Sequence, residues 1–130
     1  MDFNKIYKSA YYLIYDINYK IKLNDFNPVI DALFDDIDIK EWGFITGFNP
    51  QSISHCKEEN NSFNENLFND LNEYTILLGE GGDIEGDWEP EKSFLVLGIN
   101  KKELINSAIK YNQKAVIYGE INKVAELLFI

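Results

Sequence analysis

The stretch that decides the fold lies at positions 42–52 and reads Trp42-Gly43-Phe44-Ile45-Thr46-Gly47-Phe48-Asn49-Pro50-Gln51-Ser52. Its first half is apolar and aromatic, which is typical of a buried strand, and its second half is a polar loop. A helix is expected to follow, from about Ser54 to Asn72, with Ser54 as the N-cap. In α/β proteins, a strand, a loop and a helix start of this kind hold ligands at the carboxyl end of the strand. We therefore expect the functional site here.

The helix carries polar residues within its apolar stripe, whose members are Cys56, Phe63, Leu67 and Leu71. At about 100° per residue, Asn60 projects into the middle of that stripe, with Asn64 beside it and Glu59 at its edge. A buried amide without hydrogen-bond partners costs about 1–3 kcal/mol. Asn60 is therefore predicted to be buried against something polar, with Asn49 and Ser52 at the amino end of the helix. The simpler interpretation is that Asn49 and Ser52 only turn the chain and that Asn60 bonds neighbouring backbone.

Length and patterning predict one domain over residues 1–130, of class α+β, with a mixed β-sheet covered by about three helices. The chain is 45% hydrophobic and 15% aromatic, which favours a packed core over disorder. Asn100 and Glu103 have the spacing of a capping box before the third helix. A further short helix is expected over residues 2–9. The element order is ββαβαββαββ, with predicted strands at about residues 10–17, 19–23, 42–48, 74–78, 93–99, 114–118 and 124–130.

Charge and composition exclude several classes of partner. The formal net charge is -10 and the chain contains no arginine, so we expect no nucleic-acid partner and no bidentate phosphate fork. No segment is long and apolar enough for a membrane span, and no leader pattern opens the chain. The single cysteine, Cys56, has no internal disulfide partner. We expect a bacterial cytoplasmic protein.

The segment Gly79–Lys92 is predicted to be an acidic, glycine-rich loop around Trp88. It reads Gly79-Glu80-Gly81-Gly82-Asp83-Ile84-Glu85-Gly86-Asp87-Trp88-Glu89-Pro90-Glu91-Lys92. Three roles are open: a lid whose Trp88 stacks on a ligand, a cation site, or an acidic face for a basic protein. An ordinary solvated loop is the plain alternative. The EF-hand pattern fails because the sixth position is Trp88, where that motif needs glycine, and the twelfth is Phe94, where it needs glutamate.

No catalytic or metal-binding signature is present. His55 and Cys56 are the only residues of their types, and neighbours on a helix point about 100° apart, so we expect no metal site and no nucleophile–base pair. Acid–base chemistry would rest on carboxylates such as Glu59, Glu91 or Glu126. The two strand-to-helix loops, residues 48–54 and 98–102, would lie at one edge of the sheet if their strands were parallel. The second loop would then add Lys101 and Lys102 to the site.

Four segments together resemble a family of small bacterial proteins of unknown function: WGFITGFNPQS, EENNSFNENLFNDL, GEGGDIEGDWEPEKSFLVLGI and NQKAVIYGEINKVAELLFI. The similarity keeps motif order from about Tyr11 to the end of the chain, and it implies one fold and no activity. The chain departs from the family pattern near Phe63, where a basic residue is expected, and this departure weighs against an anion site there. The resemblance carries over a polar set: Asn49, Pro50, Ser52, Glu59, Asn60, Trp88, Glu91, Gln113 and Glu126.

The leading hypothesis is a pocket for a small polar ligand, with a nucleotide-like molecule as one candidate class. The alternative is an acidic interaction module, such as an immunity or inhibitor protein, that binds a basic partner. A metal-dependent enzyme using the loop carboxylates is the third hypothesis. Cofactor and reaction are not assigned. The candidate ligand-binding residues are Asn49, Ser52, Glu59, Asn60, Trp88, Glu91 and Gln113.

Overall fold

Seven strands, three α-helices and one 3-10 turn make up the part of the chain that the structure, a computed structural model, describes: residues 10–34, 40–86 and 89–130. The strands are β1 Ala10–Ile14, β2 Tyr19–Lys20, β3 Glu41–Ile45, β4 Thr75–Asp83, β5 Glu91–Leu97, β6 Ala115–Glu120 and β7 Glu126–Phe129. The helices are α1 Pro28–Asp31, α2 Lys57–Asp70 and α3 Lys101–Lys110, and the 3-10 turn is Pro50–Ser52. The predicted order is confirmed, while the helix expected over residues 2–9 lies outside the described ranges. None of the helices in these ranges is long and apolar enough to cross a membrane.

The strands form one sheet in the order β2-β1-β4-β5-β3-β6-β7. The α+β class is confirmed, but the sheet is not mixed as predicted: every ladder among the described strands is antiparallel. The only parallel pairing in these ranges is a bridge between Leu23 and Ala125. This bridge joins the segment after β2 to the start of β7, with Asn24 N donating to Ala125 O at 2.8 Å. The sheet therefore curls until its two edges meet.

The curled sheet has two apolar faces with different coverings. The outer face packs against α2 and α3. Leu104 of α3 packs directly on Gly43, where a Cβ atom would lie 2.6 Å from a methyl group of Leu104. The inner face holds the second core, centred on Trp42 and Phe44, with Ile30 of α1 at one side. Alternation along β3 explains this division, because Trp42 and Phe44 point inward while Ile45 points outward.

Two predicted boundaries are wrong for physical reasons. Helix α2 begins at Lys57 with Cys56 as its N-cap residue, not at Ser54, because the 3-10 turn and its positive-φ residues delay the start. Strand β4 continues to Asp83 through the glycines that predicted a loop. Those residues pair with β1, from Ile14–Gly79 to Ala10–Asp83, so cross-strand pairing overrides the turn preference of glycine.

We predict that Gly119→Ala destabilises the fold by about 1–3 kcal/mol, because the new methyl group overpacks the inner core. Gly119 is the cross-strand partner of Trp42, and a Cβ atom there would lie 2.2 Å from the indole ring. Gly81→Ala is the matched control, since its Cβ would meet nothing nearer than 3.6 Å. Chemical denaturation measures both variants, and equal losses of unfolding free energy would contradict this account of the core.

Candidate functional site

Two amides of α2 hold the loop that follows β3, residues 46–52. Asn60 and Asn64 are one helical turn apart, so their side chains share a face. Asn64 Oδ1 accepts from Gly47 N at 2.8 Å, and Asn60 Oδ1 accepts from Asn49 N at 2.8 Å. Both side chains are buried, with Asn60 only 5% exposed as the helical projection predicts. Two amides in the apolar stripe thus supply the hydrogen bonds that this buried backbone requires.

Asn49 connects this loop to the rest of the site through hydrogen bonds. Its φ of 48° lies in the left-handed region, which asparagine tolerates better than most residues. Its Oδ1 accepts from Asn60 Nδ2 at 2.8 Å and from His55 N at 3.0 Å. These bonds fix the amide, and its Nδ2 donates to Glu91 Oε2 at 2.9 Å. Asn49 therefore links helix α2 to the start of β5.

Glu91 lies on the inner face of the sheet. Tyr12 pairs with Gly81 and Gly81 pairs with Glu91, and directly opposed residues of antiparallel strands point to the same face. Burial raises the pKa of Glu91 to about 7, although the hydrogen bond from Asn49 acts in the opposite direction. This carboxyl therefore titrates near neutral pH.

Gln113 reaches the same loop from the connection between α3 and β6. Its Nε2 donates to Phe48 O at 3.1 Å and to Tyr111 O at 3.3 Å. The backbone of Asn112, at φ 54°, turns the chain at the end of α3 and directs Gln113 inward, where it is 8% exposed. Three separate elements, α2, β5 and the α3–β6 connection, thus converge on one loop.

These groups border a cleft of about 480 Å³ at one end of the inner face, here called the inner-face cleft. Its floor is apolar and aromatic: the rings of Tyr12 and Phe44 meet edge to face at 5.9 Å, and Ile117 lies beside them. Antiparallel pairing builds this end of the sheet, because the end of β3 lies beside the starts of β5 and β6. One half-buried carboxyl, that of Glu91, faces this floor.

The structure brings together most of the predicted ligand-binding residues. Those that line the inner-face cleft are Asn49, Ser52, Asn60, Glu91 and Gln113. The plainer interpretation of Asn60 also holds, because its amide bonds backbone groups of the loop.

Glu59 does not line the cleft, since it lies one position before Asn60 and its side chain is 57% exposed. A hydrogen bond from the Cys56 thiol at 3.2 Å, with the nearby imidazole of His55 as a smaller cause, lowers the pKa of Glu59. Trp88 lies outside the described residues.

The second strand-to-helix loop lies at the opposite end of the sheet. Strands β3 and β5 are antiparallel neighbours, so their carboxyl ends point in opposite directions, and the expectation based on parallel strands fails. Lys101 and Lys102 are therefore not part of the site. Lys101 instead lies 3.4 Å from Glu126, one of the polar positions carried over from the family pattern. The Asn100 cap is confirmed: its Oδ1 accepts from Glu103 N at 2.8 Å.

The acidic segment is shorter as a loop than predicted. Residues 79–83 belong to β4 and residues 91–92 to β5, so both ends of the predicted loop are paired strand. Glu80 lies on the outer face, where its carboxylate accepts hydrogen bonds from the hydroxyls of Tyr11 and Tyr15. Within residues 10–34, 40–86 and 89–130, no group of three or more histidine, cysteine or acidic side chains is arranged to hold a metal ion.

The cleft residues that were not anticipated from the sequence include Tyr12, Phe44 and His55. Tyr12 lies in a strand with aromatic residues on both faces, so its pattern does not say which face turns inward. His55 had no second metal ligand or catalytic partner to mark it. In the structure its ring packs edge to face on Phe63 at 5.3 Å. Strand pairing brings Tyr12 and Phe44 to one face, and the hydrogen bond from His55 N to Asn49 Oδ1 holds His55 near them.

We predict that Asn60→Ala lowers the free energy of unfolding by about 1–3 kcal/mol, because it leaves partly buried backbone groups unpaired. Those groups are the amide of Asn49 and the carbonyl of His55, to which Asn60 is hydrogen-bonded. Asn61→Ala is the matched control, one position along α2 and exposed. Urea denaturation of the two variants makes the comparison, and similar values for both would rule out the proposed tie between α2 and the loop.

We predict that Glu91→Gln stabilises the protein at alkaline pH and not at acid pH. The folded-state pKa of Glu91, about 7, lies above the ordinary value of 4.5, so between these values the folded protein holds a proton that the unfolded chain releases. Stability from this group therefore falls as pH rises through that window. Removing the acid should add on the order of 2–3 kcal/mol above pH 7 and little below pH 4.5.

The measurement is urea denaturation of wild type and variant across this pH range. Glu85→Gln removes the same charge from an exposed position of the β4–β5 hairpin and reports the effect of net charge alone. A constant difference in unfolding free energy between Glu91→Gln and wild type at all pH values would contradict the raised pKa of Glu91.

Comparison with known proteins gives a family and no activity. The model of a family described as "Protein of unknown function (DUF3293)" matches residues 45–116, which is more than half of the chain. No curated protein and no solved structure matches. The matched span includes Asn49, Asn60, Glu91 and Gln113, and it confirms the resemblance to an uncharacterised family, while the individual motifs and the bacterial source stay predictions. The chain belongs to the DUF3293 family of proteins of unknown function.

Proposed function

We propose that this protein binds a small molecule in the inner-face cleft, with Glu91 as the polar anchor of the ligand. The observation that carries the proposal is the position of that carboxyl: it faces an apolar, aromatic cavity and is oriented by Asn49. Clefts that bind small ligands combine this kind of lining with a few fixed polar groups, and their volumes run from about 300 to 1,000 Å³.

The Glu91 carboxyl is held in place by two successive sets of hydrogen bonds. Asn49 holds Glu91, and Asn60 in turn holds Asn49 through hydrogen bonds in both directions at 2.8 Å. A site whose polar group is fixed before binding loses less conformational entropy when the ligand arrives. The perturbed pKa of Glu91 adds support, because such groups cluster at functional sites.

The other hypotheses have less support. The acidic interaction module depended on a continuous acidic loop, but Glu80 is held by two tyrosines and Glu91 lies in the cleft. The metal-dependent enzyme needs converging carboxylates, and the described residues contain no such group. A nucleotide's phosphates would meet Glu91 with only Lys57 as a cationic side chain along the cleft among the described residues.

The test is a screen of a chemically diverse fragment library, containing acids, bases and neutral compounds, against the protein labelled with nitrogen-15. We expect at least one compound to shift the backbone resonances of Glu91, Ser93 and Gln113, which line the inner-face cleft. The same compound should raise the melting temperature, because a ligand that binds the folded state stabilises it.

Gly81→Leu supplies the blocking variant. Gly81 lies between Tyr12 and Glu91 in the sheet, so a leucine side chain at that position covers the carboxyl. It should abolish binding, whereas Thr75→Leu, at an exposed position of the same strand outside the cleft, should not. Failure of the whole library to perturb cleft residues, or binding that Gly81→Leu leaves intact, would overturn the proposed function.

A further inference from the structure

The hydrogen-bonding groups of the inner-face cleft favour a ligand that donates hydrogen bonds. The amide of Asn60 uses its Nδ2 on Asn49 Oδ1 and His55 O. The amide of Gln113 uses its Nε2 on two backbone carbonyls. Among the described residues, no donor reaches Gln113 Oε1, although the residue lines the cleft. Asn60 and Gln113 thus direct their amide donors into the protein, and Gln113 leaves an acceptor oxygen at the cleft.

Glu91 is the strongest of these acceptors. Asn49 is its only hydrogen-bond donor in the described part of the chain, and no cationic side chain there lies within 4 Å of it. The Glu91 carboxyl is half-buried, and carboxylates withdrawn from water are normally paired with a cation or with several donors. Each oxygen of a carboxylate accepts two hydrogen bonds, so the single contact with Asn49 leaves most of its accepting capacity to a ligand.

The charged groups around the inner-face cleft favour a cationic ligand. Among the described residues, the titratable groups that line the inner-face cleft with Glu91 are Tyr12, His55, Lys57 and Glu89. Lys57 is exposed, and the chain as a whole carries a formal net charge of -10. An anionic ligand would meet Glu91 without a buried counter-ion, whereas an organic cation would supply one. The aromatic floor formed by Tyr12 and Phe44 suits an apolar or aromatic body attached to such a cation.

We propose that the ligand is a small organic cation with a planar, N–H-bearing head, such as an amidinium or guanidinium group, on an apolar or aromatic body. The head pairs with the Glu91 carboxylate in a bidentate geometry, and the body lies on the floor of Tyr12, Phe44 and Ile117. This inference rests on the proposed function, since it names the chemical class of the ligand for the same cleft.

Three probes of one shape separate charge from fit: benzamidine is a cation, benzamide is neutral and benzoate is an anion. At pH 8, where Glu91 is ionised, we expect benzamidine to bind at least about tenfold more tightly than benzoate or benzamide. Glu91→Gln should remove most of that preference, and the matched charge control Glu85→Gln should keep it. Titration followed by backbone chemical shifts gives the affinities and the site together.

The pH dependence supplies a second readout. Benzamidine stays charged through the neutral range, so its affinity should rise with pH as Glu91, whose pKa is about 7, loses its proton. His55 also lines the cleft, so His55→Gln is the control for a contribution from its imidazole. The rise should therefore persist in His55→Gln and disappear in Glu91→Gln.

The outcomes distinguish the two proposals. Benzoate or benzamide bound in the cleft as tightly as benzamidine would overturn the cation class and leave the proposed function standing. No cleft binding by benzamidine up to about 10 mM, a weak affinity for a fragment of this size, would also overturn the class. In that case the diverse library decides the proposed function independently. Benzamidine binding that ignores Glu91→Gln would assign the ligand to a different anchor and reject this inference.

Discussion

The pair of asparagine amides on α2 is the constraint on which the rest of the site depends. Asn60 and Asn64 occupy positions where an ordinary amphipathic helix would present apolar side chains, and they bind the backbone after β3 instead. This exchange gives up apolar burial, but it satisfies buried N–H groups that would otherwise destabilise the fold. The loop held in this way positions Asn49, and Asn49 positions Glu91. The site is therefore an extension of helix packing rather than an independent loop.

The curled antiparallel sheet determines where the loop can act. Because β3 lies between β5 and β6 and runs opposite to both, its carboxyl end meets their amino ends. Gly81, between Tyr12 and Glu91 in the pairing across three strands, adds no side chain to the inner face. The absence of a side chain at Gly81 leaves room above the aromatic floor of the cleft. At Gly119, the indole of Trp42 occupies the space that a side chain would need. Two glycines of one sheet thus have opposite effects, one opening the cleft and one closing the core.

Local patterns predicted the elements, and non-local pairing decided the site. Helical periodicity was sufficient to predict that Asn60 is buried, because that inference needs only the residues of one helix. It was not sufficient to place Lys101 and Lys102, since the direction of β5 relative to β3 depends on contacts across about 50 residues. Glu91 illustrates the same limit, because in the sequence it is one of several similar acids. The family resemblance marked it, but strand pairing gives the physical difference from Glu80, which points to the outer face.

The choice of an acid at position 91 is itself informative. A glutamine there has the same shape and would accept the same hydrogen bond from Asn49 without carrying a buried charge. The raised pKa means that the ionised carboxylate opposes folding at neutral pH, so a purely structural role would favour the amide. Proteins retain such unfavourable groups mainly where chemistry requires them. A cation bound in the cleft would stabilise the ionised carboxylate and so lower the pKa of Glu91. Binding of the cation near pH 7 would therefore release a proton. Proton linkage and ligand selectivity would then arise from the same oxygen atoms, and the stability lost by burying the acid would be regained in the bound state.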